Sequence, residues 1–227
     1  TAKRALSLLQ CGTRQEALPI ATDLKHLNES RKEMTLKGVE AAQALIKEQG
    51  LDGRKVLILY LPDCHESLAG IIAGRIREEY ERPVFVLTDS EDGVKGSGRS
   101  IEAYSMYEEM SKCKDLFIRY GGHKMAAGLT LPKENVQLFA QRMEQECALT
   151  EEDFAVKVHI DAAMPFGYVN EALLSQFSLL EPFGNGNRKP LFAQRNVALL
   201  GSRILGKTGR DGKYTVLDEN NRCYELT

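Results

Sequence analysis

Two glycine-rich stretches, KGSGRS (Lys95–Ser100) and GGHKMAAGLTL (Gly121–Leu131), flank a predicted helix, and the reading of the whole chain turns on them. In an extended strand the side-chain direction repeats every two residues, so Lys95, Ser97 and Arg99 share one face. On that face Arg99 can fork onto a phosphate and Ser97 can give a short hydrogen bond. The same six residues also suit a polar turn with a solvated lysine and arginine. In the second stretch Gly121 and Gly122 let the backbone approach a ligand or take a left-handed turn, and His123 offers a donor or a stacking ring. Ala126, Ala127 and Gly128 keep the following segment small. A lone histidine is more often structural; between Gly122 and Lys124 it reads as functional. Together the stretches read as the floor of a nucleic-acid site.

Working outward, VLILYL (Val56–Leu61) has the length and continuity of a strand buried on both faces. HESLAGIIAGRIREEY (His65–Tyr80) reads as a helix packed through Leu68, Ile71, Ile72 and Ile76, with Gly70 and Gly74 allowing close approach to a sheet. Pro83 precedes a second strand, Val84–Leu87, which completes a strand-helix-strand unit and predicts an α/β domain with neighbouring parallel strands. Lys95–Ile101 is a third extended piece and Ala103–Cys113 a helix. Leu116–Tyr120 leads into a turn at the glycine pair, Ala126–Leu131 is a strand, and Pro132–Cys147 is an amphipathic helix. Before this domain, Ala2–Leu9 and Arg14–Ile46 form a helical arm. Its Arg31 is either part of a solvated helix face or a further phosphate contact. The acidic run Glu151, Glu152, Asp153 reads as a linker. Beyond it Phe154–Ile160, Val197–Leu205 and Lys213–Asp218 are strand-like, Val169–Leu180 is a short helix, and EPFGNGNRKPLF (Glu181–Phe192) specifies tight turns. The expected division is a helical arm over 1–50, an α/β domain over 51–150 and a mainly β domain over 151–227.

Composition narrows the classes. Thirty basic residues against thirty-two acidic ones, in a chain of 227, give a formal charge of −2, so any footprint on a polyanion must be local. Five cysteines, odd in number and never in a C-x-x-C pair, argue against a disulfide scaffold and a structural zinc site. No apolar run approaches the roughly twenty residues of a membrane span and no signal-peptide layout opens the chain, which predicts a cytoplasmic protein. The chain begins without methionine and reads as a fragment. Cys64 and His65 are adjacent, point apart and lack a second ligand pair, so His65 reads as the start of a helix. GKTGR (Gly206–Arg210), with Gly201 before it, meets the letter of a phosphate-loop pattern. A strand follows it instead of a long helix, so Lys207 and Arg210 read as a basic hairpin touching a nucleic-acid backbone. No cluster able to hold two catalytic metals stands out, nor any nucleophile-base set. These residues bind better than they cut.

HESLAGIIAGRI, KGSGRSI, RYGGHKMAAGLTL and EPFGNGNRKPLF, in this order and spacing, resemble the C-terminal part of the RecJ family, bacterial single-strand-specific 5′ to 3′ DNA exonucleases. The resemblance extends from the arm containing LNESRKEMT to the last β segment. It implies linking helices, a DHH-associated α/β domain and an OB-fold-like β domain, here expected to be truncated. By the resemblance Ser97 and Arg99 receive a 5′-terminal phosphate, His123 faces the active cleft and Arg31 is a further contact. Lys95, Gly121, Gly122, Lys207 and Arg210 complete the expected nucleic-acid surface. The divalent metals, Mn or Mg, belong to a DHH domain whose motifs are not in this sequence, so no catalytic or metal-binding residue is expected here. Single-stranded DNA is the implied partner, with a single-strand-binding protein and a helicase as further ones, in DNA repair and recombination. Two alternatives remain open: a DHH-type phosphodiesterase for oligonucleotides or cyclic dinucleotides, and a non-catalytic protein-interaction module.

Overall fold

The computed structural model describes residues 2–155, 158–206 and 211–227. Two compact units divide the chain, Thr1–Val156 and Lys157–Thr227. Among the described residues no helix is long and apolar enough to cross a membrane.

The first unit opens with α1 (Ala2–Gln10) and α2 (Arg14–Gln49). Thr13 starts α2 by accepting the Glu16 N–H, and Gly50 stops it in the left-handed conformation, its N–H bonded to Ile46 and Lys47 carbonyls. Then come β1 (Leu57–Tyr60), α3 (Glu66–Tyr80), β2 (Val84–Ser90), β3 (Gly93–Arg99), α4 (Met106–Ser111), β4 (Arg119–His123), β5 (Ala126–Leu131) and α5 (Val136–Gln145). The strands form one sheet in the order β1-β2-β3-β5-β4. β1 and β2 are parallel, joined by α3 as the strand-helix-strand pattern predicts, while every later pairing is antiparallel.

Both sheet faces are packed, which is why β1 and β2 read as continuous apolar runs. On one face Phe85, Leu87, Val94, Leu129 and Leu131 bury against Met106 and Met110 of α4 and Phe139 and Met143 of α5. On the other, Leu57, Leu59, Val84 and Val86 share a core with Leu68, Ile72 and Ile76 of α3 and with Val39, Ala42 and Ile46 of α2, which packs on both α3 and β1. Each wholly buried aliphatic side chain of this set contributes about 1.5–3 kcal/mol. That second cover stops short: α3 packs on β2 and β3.

Four local expectations are corrected. GGH is not a turn: Gly121, Gly122 and His123 lie within β4, paired to Gly128, Ala127 and Ala126. The helix expected over Ala103–Cys113 starts only at Met106, because Ser100 Oγ donates to the carbonyl of buried Tyr104 at 2.6 Å and holds the preceding loop. The acidic run is not a bare linker. It forms a 3₁₀ turn, Glu151–Phe154, closed by a reciprocal capping box between Thr150 and Asp153. Phe154 is buried in the first unit's core, with the Arg82 guanidinium 3.6 Å over its ring. The strand expected from Phe154 to Ile160 is therefore absent among the described residues.

The second unit holds a three-stranded antiparallel sheet, β8 (Ala198–Leu205), β9 (Asp211–Leu217) and β10 (Cys223–Leu226), with short parallel strands β6 (Ala162–Ala163) and β7 (Phe192–Ala193) and helix α6 (Glu171–Phe177). Among its described residues only Val216 and Asp218 are buried. Asp218 turns β9 into β10 by accepting the backbone N–H groups of Asn220 and Arg222, and these bonds hold its carboxyl below the ordinary range. EPFGNGNRKPLF is a set of turns, with Gly186 at φ 82° and the Asn187 amide donating to the carbonyls of Leu180 and Pro182. Gly201 lies inside β8, paired with Thr215, and Leu205 pairs with Asp211, so a strand and not a long helix follows the stretch and the phosphate-loop reading is excluded. Lys207 and Arg210 lie outside the described residues.

Candidate nucleic-acid interface

The sheet face that α3 covers at β2 and β3 and leaves open beyond them carries three rows of residues, each crossing β3, β5 and β4. Partners opposite one another in an antiparallel ladder point to the same side. The first row is Arg99–Ala126–His123, the second Ser97–Gly128–Gly121, the third Lys95–Thr130–Arg119. The middle row has a side chain only at Ser97, and a Cβ added at Gly121 would meet nothing within 4 Å. The result is a glycine floor with cations in the rows at both ends. A cleft of about 410 Å³ lies over the second and third rows, lined among others by Glu66, Ser67, Lys95, Ser97, Arg119, Gly128 and Thr130, whereas Arg99, Gly121, Ala126 and His123 are not in its lining.

Each predicted residue takes a definite place. Lys95, Ser97 and Arg99 do share a face, alternating with the inward Val94, Gly96 and Gly98. In KGSGRS the missing Cβ atoms of Gly96 and Gly98 make room for core side chains, while the Gly96 backbone also lines the cleft. A Cβ at Gly96 would lie 2.5 Å from Leu87 Cδ2, and one at Gly98 2.6 Å from Phe85 Cε1. They serve the core. Arg99 runs beneath α3, where a Cβ at Gly70 would fall 2.7 Å from its guanidinium, and its Nη1 donates to the Gly98 carbonyl at 2.8 Å. Gly70 thus admits an arginine as well as a sheet.

Adjacent strands lie about 4.8 Å apart, which sets the Arg99 and His123 backbones roughly 10 Å apart across Ala126. His123 is exposed, and its Nδ1 accepts the Met125 N–H at 3.3 Å, which leaves Nε2 as the ring nitrogen for a ligand. Gly122, its neighbour, is required by close approach: a Cβ there would meet the Ala126 carbonyl oxygen at 2.5 Å. His65 caps α3, its Nδ1 accepting the Ser67 N–H at 3.2 Å. The loop before it is held from below by buried Thr88, whose hydroxyl donates to the carbonyls of Pro62 and Cys64.

Arg31 is exposed on α2, one turn before buried Thr35. A Cβ at Gly38 would meet Ile72, and Gln43 bonds to Glu79, so α2 and α3 run in the same direction and Arg31 stands level with the start of α3. It is not among the residues lining the cleft.

Sequence reading missed Arg119, Thr130, Glu66 and Ser67. The period-two pattern Arg119, Gly121, His123 was the available signal, hidden by taking the glycines as a turn. Two exposed ion pairs border the cleft: Lys95 Nζ to Glu66 at 2.7 Å and Arg119 Nη2 to Asp92 at 2.6 Å. The Lys95 hydrogen bond holds the Glu66 carboxyl below its ordinary value and raises Lys95 in return. Among the described residues no three His, Cys, Asp or Glu side chains gather in a way that could hold a metal ion.

The sequence matches the DHHA1 domain family over residues 53–149 and the RecJ OB domain family over residues 160–226. It is 31% identical over 222 residues to the single-stranded-DNA-specific exonuclease RecJ of Bacillus subtilis, covering 96% of this chain and 28% of that protein. The RecJ of Thermus thermophilus is 32% identical over 191 residues, 84% of this chain and 27% of the relative. The crystal structure of the Thermus thermophilus protein in complex with Mn2+ matches with a TM-score of 0.76 at 29% identity, over 94% of this chain and 31% of that one. A structure of the same protein in complex with Mg2+ matches with a TM-score of 0.74. The chain thus spans little more than a quarter of the length of these curated relatives. It belongs to the RecJ family, as a DHHA1 domain followed by a RecJ OB domain.

Proposed function

We propose that this chain is the strand-gripping portion of a single-stranded-DNA-specific 5′ to 3′ exonuclease, and that the sheet surface at the Arg99 row, beside the cleft, captures the 5′-terminal phosphate. The observation carrying this reading is the Arg99–Ala126–His123 row beside the glycine floor. Arg99 forks onto the terminal phosphate, Ser97 donates from the floor, and the His123 ring closes the pocket from the far strand. The missing Cβ atoms at Gly121 and Gly128 admit a sugar-phosphate backbone against the sheet. Arg31 adds a contact from α2. With a formal charge of −2 over the chain, attraction is confined to this surface and to the basic connection of the OB domain.

Hydrolysis itself, with Mg2+ or Mn2+, falls to the part of the protein that this chain does not span, a DHH domain by the family resemblance. A cytoplasmic place in DNA repair and recombination, with single-strand-binding protein and helicase as partners, follows from the same reading. The OB match over residues 160–226 favours it over a phosphodiesterase for dinucleotides.

Fluorescence anisotropy with one oligonucleotide in 5′-phosphate and 5′-hydroxyl forms tests the proposal. The phosphorylated form should bind at least tenfold more tightly, with a steep loss as salt rises. Equal affinity for the two ends would refute it.

A further inference from the structure

We propose that Lys95 and Arg119 form a second anion subsite, which takes an internal phosphodiester of the same single strand; this rests on the strand-end reading above. Both side chains rise from one cross-strand row on either side of Thr130, on the same face as Ser97 and Arg99. Both line the cleft. Strand rise is about 3.4 Å per residue, and four residues separate Lys95 from Arg99, so the rows stand about 13 Å apart along the strands. That exceeds the step between adjacent phosphates, so an anion bound at the second row belongs to a linkage further along the strand. The glycine floor lies between the rows and provides the track.

The cations are held ready by carboxylates. Lys95 pairs with Glu66, the two side chains 38% and 50% exposed, and Arg119 with Asp92 at 66% and 58%. Exposed pairs contribute little and exchange readily with a better partner. A phosphodiester offers Arg119 a bidentate geometry that the single contact to Asp92 does not. Glu66 and Asp92 thus occupy the subsite in the absence of a strand and yield to it.

Length dependence separates this subsite from the terminal one. Affinities of this chain for 5′-phosphorylated oligo-dT of one, two, three and four nucleotides are to be measured by isothermal titration. In the parent protein affinity climbs with length. Arg119→Ala should flatten that climb, with about a tenfold loss on the tetranucleotide and a much smaller one on the mononucleotide, whereas Arg99→Ala should lower every length alike. Asp92→Asn should tighten the tetranucleotide about threefold, and that gain should vanish in the Arg119→Ala background. A loss from Arg119→Ala that is equal at all lengths, or a gain from Asp92→Asn that survives it, overturns the subsite while leaving the terminal pocket intact. No binding by the parent at any length overturns both.

Discussion

The two faces of the central sheet use glycine for opposite ends. Toward α4 and α5, Gly96, Gly98 and Gly122 are glycine because something else already fills the space: Leu87, Phe85 and the Ala126 carbonyl stand within 2.6 Å of any added Cβ. On the open face, Gly121 and Gly128 are glycine where the fold asks for nothing, since an added Cβ finds either empty space or the Gly96 carbonyl at 3.8 Å. A residue that packing does not need small, kept small beside a row of cations, points to a ligand. The contrast teaches that a glycine-rich motif is two motifs interleaved, one belonging to the core and one to the cleft.

The strongest way to break the contrast is Gly98→Val. An isopropyl group forced between Phe85 and Met106 should cost about 3 kcal/mol, read as a lowered urea midpoint in far-ultraviolet circular dichroism. A midpoint near that of the parent would mean that β3 does not face the core as described. Next in size is Arg99→Ala, expected to lose about 2 kcal/mol of binding to a 5′-phosphorylated oligonucleotide, roughly thirtyfold, by anisotropy. Gly128→Val sharpens the comparison further. Its stability should stay within about 0.5 kcal/mol of the parent while affinity falls about tenfold, and a stable variant that binds normally would show that the floor is not used.

The smallest effect is one of pH. Glu66 titrates below its ordinary value of 4.5 because Lys95 hydrogen-bonds to it. A depressed carboxyl contributes stability above its unfolded value and loses it as pH falls through the folded one. Urea midpoints of the parent and Glu66→Gln should therefore differ slightly at pH 6 and converge below the folded value of Glu66. A gap that persists in strong acid would assign it to packing.

The architecture was legible where periodicity and burial agree. VLILYL lies on a strand packed on both faces, while the α3 pattern with its Gly70 and Gly74 and the run Ala126–Leu131 each bury one side against the core, and their sequence shows it. The site was legible only in part. Lys95, Ser97 and Arg99 could be put on one face because a strand alternates, yet Arg119 could not be joined to them. Its partnership runs through β5, and the order β3-β5-β4 is a property of the sheet that local sequence does not encode. The acidic run misled for a different reason. Charge and position suggest a solvated link, whereas the capping bond of Asp153 and the burial of Phe154 depend on a core assembled far away in the chain.

That buried ring has a practical consequence. Phe154 belongs to the N-terminal body although it follows the last residue matched to the DHHA1 family, which ends at residue 149. Anyone excising that body at the family boundary would strip an aromatic plug from beneath Arg82 and from the buried core it belongs to. The cut for a well-behaved recombinant piece falls after Ala155.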